Sequence, residues 1–218
     1  MSAEWAHATV AWAHGLLPSP FDVTYGDWFL FRVADKGDLV YPKLLNTGQA
    51  QLVGVIAIAG PTVNGVLGAL GLVVLRFRRL SQYPILSFSM FWFALNNIGQ
   101  VYSYLPIRGF SSSGDIAIFD RAFGVPHVVL FTVAGAGICG ALIIAFVRDL
   151  PRCIAAFRLS RGDARRLVRL SAGLIFFWYG AAAAFNYGLH DIRSISFPLS
   201  ILVGLAVIRW RVGALKEA

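Results

Sequence analysis

The sequence predicts an all-α integral membrane protein of about five to six transmembrane helices, with a small extra-cytoplasmic hairpin after the first helix. Three observations lead there. Of 218 residues, 57% are hydrophobic and only 14% charged, and the mean hydropathy is +0.67. A water-soluble domain of this size carries far more polar surface. The apolar residues also come in long uncharged blocks, and arginines crowd into alternate intervals between those blocks.

A helix rises about 1.5 Å per residue, so roughly 20 residues cross the hydrocarbon core. The blocks place spans at about 52–75, 80–105, 122–147, 170–189 and 194–210, all within one polytopic domain covering residues 1–218. The last block is short, but it extends through Trp210 if Arg209 and Arg211 snorkel to the interface. Ahead of them, residues 3–17 read as a short apolar helix stopped by Gly15 and Pro18. It is too short to span alone, and it reads as the outer part of a first helix whose beginning is lost or divergent. No secretory signal is expected, because no basic region precedes an apolar run and a cleavage site.

Residues 18–50 form the most polar stretch, punctuated by Pro18, Pro20, Gly26, Gly37, Pro42 and Gly48. Asp27 to Val33 suits a strand, with a turn over Asp35 to Asp38 and a return along Leu39-Val40-Tyr41. Tyr25 and Trp28 suit the aromatic belt of a membrane surface.

The net charge of +8 has a topological reading. Arg76, Arg78 and Arg79 follow the first long block; seven arginines lie from Arg148 to Arg169; Arg209, Arg211 and Lys216 end the chain. The positive-inside bias puts these intervals and the C-terminus in the cytoplasm. The intervals near 18–50, 105–121 and 190–194 then lie outside. Nucleic acid is not an expected partner; membrane lipid is. Gly65, Gly68 and Gly71 in one span, and Gly135, Gly137 and Gly140 in another, would let helices approach closely, within the chain or with a partner protein. Cys139 and Cys153 lie at different levels, so no disulfide is expected.

Ionisable and amide groups inside a membrane are costly and need a reason. Glu4 and His7, three apart, share a helix face. Were residue 3 a histidine, the string would be H-E-x-x-H, in which two imidazoles hold zinc and the glutamate activates a water; it is Ala3. By themselves Glu4 and His7 also suit an exposed helix end. His14 lies about 10 Å further along the same helix, too far to share an ion with His7, and reads as interfacial. Gly60-Pro61-Thr62-Val63-Asn64 suits either a helix start or a built feature. Asn96 and Asn97 near the end of the next span lead through Pro106 to Gly114-Asp115, where an aspartate in a Ser/Gly-rich loop is ordinarily solvated. Gln100, Asn186, His190 and Asp191 add polar groups toward span ends.

In that order the pieces resemble the intramembrane zinc metalloproteases related to site-2 protease. That family carries H-E-x-x-H in one span, then a Gly-Pro-x-x-Asn helix, then an Asn/Pro segment leading to an aspartate, often followed by glycine. The resemblance covers roughly residues 3–120 and implies peptide-bond hydrolysis of membrane-associated substrates with a zinc cofactor. It implies Glu4 as catalytic base, His7 and Asp115 as metal ligands, and Asn64, Asn96, Asn97 and Pro106 lining the site. The chain departs from the pattern at Ala3, in a longer Asn-to-Asp interval and at Ile116, where glycine is usual. A catalytic zinc takes three protein ligands and keeps an open position, so a chain with Ala3 suits a pseudoenzyme as well. Two other readings stay open: a catalytically inactive membrane scaffold or partner subunit, and a small-molecule transporter or binder using the polar groups.

Overall fold

The computed structural model describes residues 2–25, 33–35, 44, 48–107, 114–182 and 193–217. Its elements in chain order are α1 (Ser2–Ala13), β1 (Val23–Tyr25), β2 (Val33–Asp35), α2 (Ala50–Val74), a 3₁₀ turn (Arg78–Gln82) and α3 (Pro84–Tyr102). Then come α4 (Asp115–Phe123), α5 (His127–Ile143), α6 (Leu150–Ala156), α7 (Arg161–Ala172) and α8 (Arg193–Glu217). π-Helical stretches extend α3 over Ser103–Ile107, join α5 to α6 over Ile144–Asp149 and extend α7 over Gly173–Ala182. Among the described residues, three helices are long and apolar enough to cross a membrane: α2, the continuous His127–Ala156 helix, and α8 over Pro198–Leu215. The chain is therefore helical and of membrane-protein character. The described parts of the expected spans at 80–105 and 170–189 are helical over 84–105 and 170–182, with 183–189 outside the described residues, but α3 carries Asn96, Asn97 and Gln100, and α7 carries four arginines and an aspartate. Polar content sets α3 apart from the group of three.

α2 is the hub. In lipid no hydrophobic force separates helix from solvent, so association depends on close packing and interhelical hydrogen bonds. Glycines on α2 provide the close packing. A Cβ on Gly71 would stand 2.7 Å from Ala94 Cβ, and one on Gly68 would stand 2.9 Å from Ile98 Cγ1, so α3 packs antiparallel on α2 at two glycines. A Cβ on Gly54 would stand 2.6 Å from Ala122 Cβ, which seats α4. Gly60 seats α1, beneath Ala3 and His7. Pro61 lies inside α2, which starts eleven residues earlier; the helix-start reading of Gly-Pro is replaced by a glycine seat followed by a residue without an N–H.

Across the molecule, α3 meets the π-helical extension of α7 and α8 through a second set of contacts. Tyr179 donates its hydroxyl to Asn96 Oδ1 at 2.5 Å. Ser200 donates to the Phe176 carbonyl at 2.8 Å and so accepts from Tyr102 at 2.9 Å. Gly99 sits under the Tyr179 ring and Gly204 against Phe176.

Two expectations are corrected. A two-stranded hairpin is formed by residues other than the expected ones: Val23 pairs with Asp35, Thr24 with Ala34 and Tyr25 with Val33. Asp35, expected in the turn, is in a strand, because the β-branched pair Val23-Thr24 supplies the partner strand; residues 26–32 and 36–43 lie outside the described residues. The arginine-rich interval 148–169 is helical over most of its length, as the end of the π-helical stretch, α6 and the start of α7. Ala164, Leu167, Val168 and Ser171 recur at helical spacing and are buried on one face of α7, while Ser160 caps it by accepting from the Asp163 N–H at 3.1 Å.

Candidate functional site

Ala3, His7 and Ala11 form a stripe at i, i+4, i+8 and are buried along α2, whose direction is opposite. The contacts run in order: Ser2 against Asn64, Ala3 and His7 against Gly60, His7 against Ile56. A Cβ on Gly60 would overlap His7 Nε2 and lie 3.1 Å from Ala3 Cβ. Glycine at this position is therefore what admits the imidazole.

The His7 ring is buried, with 5% exposure, and its orientation is fixed. Nδ1 lies 2.6 Å from the Ile56 carbonyl oxygen, which can only accept, so Nδ1 donates there and Nε2 is the ring nitrogen turned away from that bond. Nε2 faces Asp115 Oδ2 at 3.6 Å. Asp115 stands in the first turn of α4, where the helix N-terminus favours a carboxylate. Gly114 before it takes φ +91, a left-handed conformation suited to glycine, and delivers the chain into the helix at this angle. Ile116 and Ala117 are buried, and the far end of α4 rests on Gly54.

His7 and Asp115 are thus brought together from distant parts of the sequence. Two ligands of one tetrahedral zinc, each at about 2.0–2.2 Å, stand about 3.3–3.6 Å apart; the observed separation is 3.6 Å. The bond from Nδ1 to Ile56 is the kind of outer contact that orients a metal-binding imidazole. The pair fits two positions of a zinc site. A third is not supplied: among the described residues no third His, Cys, Asp or Glu joins them in a group able to hold a metal. Half-buried Glu4 does not complete one, and Ala3 occupies the position over Gly60 one turn from His7. The residues present do not fit a complete catalytic zinc site.

Asn64 lies one turn beyond Gly60. It is fully buried, accepts from the Ser2 hydroxyl at 2.6 Å, and its amide Nδ2 has no hydrogen-bond partner among the described residues. A buried donor without a partner costs about 1–3 kcal/mol, so this amide is a candidate contact for a carbonyl from outside the chain. Asn97 and Asn96 stand elsewhere. Their neighbour Ile98 is level with Gly68, eight residues or about 12 Å along α2 from Gly60. Asn97 donates to the Phe93 carbonyl of its own helix at 2.8 Å, and Asn96 serves Tyr179. The structure does not bring them to the His7–Asp115 pair. Pro106 lies in the π-helical stretch after α3. His14 is exposed just past α1, and both cysteines are free. Asn186, His190 and Asp191 lie outside the described residues.

Sequence reasoning missed Ser2, and it missed the pairing of Asp120 on α4 with His127 at the start of α5. Asp120 is 5% exposed; burial pushes its carboxyl above the ordinary range, against the downward pull of His127. The signal was available, since Asp120 and Ile116 lie four apart on the inner face of a short amphipathic helix.

No family model matches the chain, and neither curated proteins nor solved structures show a significant match.

Proposed function

We propose that this chain is a multi-pass membrane protein built on the site-2-protease plan, arranged for peptide-bond hydrolysis and held short of it by Ala3. The observation that carries the reading is the His7–Asp115 juxtaposition at 3.6 Å, with Nε2 the available ring nitrogen. The Gly60 seat and the open Asn64 amide support it, because each is placed by the same Gly-Pro-x-x-Asn segment of α2. Five spans, with the arginine-rich ends in the cytoplasm, complete the proposal. The site then lies toward the outer face, at the level where α2 carries Gly60. In such a protein Glu4 would serve as base, and a membrane-associated peptide would present a carbonyl to Asn64.

The second reading is a catalytically inactive scaffold or partner subunit, and Ala3 is the observation in its favour. Zinc per chain, measured in detergent-purified protein for the native sequence and for Ala3→His, decides between them. The proposal expects zinc near zero in the first and approaching one in the second, with the gain abolished by His7→Ala or Asp115→Ala. If properly folded Ala3→His binds no zinc, the metalloprotease plan is wrong and the scaffold reading stands.

A further inference from the structure

We infer that the arginine-rich end of α2 holds one anionic phospholipid, its headgroup in a basic cleft and an acyl chain in an apolar groove that meets the cleft at Arg76. The inference uses the membrane character of α2 and α5 and is independent of the His7–Asp115 pair.

Two cavities carry it. The first is a cleft of about 330 Å³ at the junction of α2, the following 3₁₀ turn and α6, lined by Arg76, Arg78, Ser87, Asp149 and Arg152 among others. The second is a groove of about 510 Å³ between α2, α3 and α5, lined by Leu72, Ile98, Val101, Gly137 and Ile144 and ending at Arg76. Arg76 lines both. A basic cleft continuous with an apolar groove matches a ligand with an anionic head and a hydrocarbon tail.

Length sharpens the match. The groove follows α2 from Gly65 to Arg76 and α5 from Ala134 to Ile144. Ten or eleven residues of helix measure about 15 Å, half of the roughly 30 Å hydrocarbon core. The groove is therefore one leaflet deep, and its charged end is the end where a headgroup of that leaflet would lie.

The charges select the head. Three arginines face one carboxylate in the cleft. Asp149 is 1% exposed and already beside two guanidinium groups, with Arg148 Nε at 3.1 Å and Arg152 Nη1 at 3.8 Å from Oδ1. The surplus is positive and suits a phosphate diester without a compensating ammonium. Neither Asp149 oxygen accepts a well-formed hydrogen bond among the described residues. A headgroup hydroxyl can donate there while its phosphate faces Arg76 and Arg152, and phosphatidylglycerol has both features.

The groove also has space to spare where a partner helix would fill it. A Cβ on Gly137 or Gly140 meets nothing within 4 Å. A substitution at Gly137 can therefore fill the groove without disturbing the fold.

The test uses the full chain in mixed micelles of phosphatidylglycerol and phosphatidylcholine, with retained lipid counted by mass spectrometry after detergent exchange. Phosphatidylglycerol should be retained at about one per chain in preference to phosphatidylcholine. Each arginine beside an anionic headgroup is worth about fivefold in affinity, so Arg76→Gln with Arg152→Gln should cut retention by roughly tenfold or more. Gly137→Leu should lower it with the arginines intact and with a lipid-free unfolding midpoint no lower than that of the native chain. Displacement by excess phosphatidylglycerol but not by inorganic phosphate would support a lipid. Equal retention of the two lipids would overturn the inference. So would full displacement by inorganic phosphate, which would assign the cleft to a free anion. A dimer that Gly137→Leu dissociates would overturn it too, since a second copy would then fill the groove.

Discussion

α2 and α5 carry similar rows of small residues and use them in opposite ways. On α2, a Cβ at Gly54, Gly60, Gly68 or Gly71 would stand closer than 3 Å to a neighbouring helix. On α5, Gly135, Gly137 and Gly140 have open space beside them. One row is consumed by the fold, and the other is open among the described residues. Composition cannot tell these apart, because a glycine permits close approach without specifying what approaches. The contrast is also functional. The tight row seats the His7 ring, which overlies Gly60 and bonds to the Ile56 carbonyl. The open row leaves a groove whose charged boundary, among the described residues, is Arg76.

The sharpest way to break this contrast is Gly71→Leu. Its Cβ would meet Ala94 Cβ at 2.7 Å and Ala94 Cα at 3.1 Å, and a backbone atom cannot rotate aside. Overpacking of this kind costs about 1–3 kcal/mol, and the unyielding backbone puts this case at the upper end. Thermal unfolding in detergent should show a large fall in midpoint or loss of folded protein. An unchanged midpoint would mean that α2 and α3 are not packed at Gly71.

How much of this was legible in the sequence depends on the kind of signal. The order of motifs put His7 and Asp115 on one list, and the fold brings them to 3.6 Å. Motif order says nothing about helix faces, however. Asn96 and Asn97 are adjacent, hence about 100° apart around α3, and they face different partners away from the pair. The arginine bias indicates a side of the membrane but not a conformation, so a stretch read as an interval proved helical. The hairpin was placed by its aromatic run, whereas the observed pairing uses Val23, Thr24 and Val33. Ser2 carried no signal, because its role exists only through Asn64, a residue 62 positions away.

A smaller effect is expected at the other end of α4, outside the three candidate spans. Burial holds the Asp120 carboxyl above its ordinary value of 3.8, with His127 pulling the other way. A carboxyl whose folded pKa is raised favours the folded state while protonated. Its contribution is full below the ordinary value and is lost as pH rises through the folded pKa. Unfolding midpoints measured from about pH 3 upward should therefore fall more steeply for the native chain than for Asp120→Asn. Equal slopes would show that His127 cancels the burial entirely.

The smallest effect on stability is expected at Gly137, and it separates the two rows most cleanly. Leucine there has open space around its Cβ and gains about 0.8 kcal/mol of helix propensity over glycine. In lipid-depleted micelles the midpoint should stay level or rise slightly, opposite in sign to Gly71→Leu. Phosphatidylglycerol should then raise the midpoint of the native chain, because a ligand that binds only the folded state stabilises it. It should leave Gly137→Leu unmoved. If leucine lowers the lipid-free midpoint, α5 packs against something in the fold and its row is no more open than that of α2. If lipid stabilises both forms equally, the groove is open but empty of lipid, and the contrast between the helices is one of packing alone.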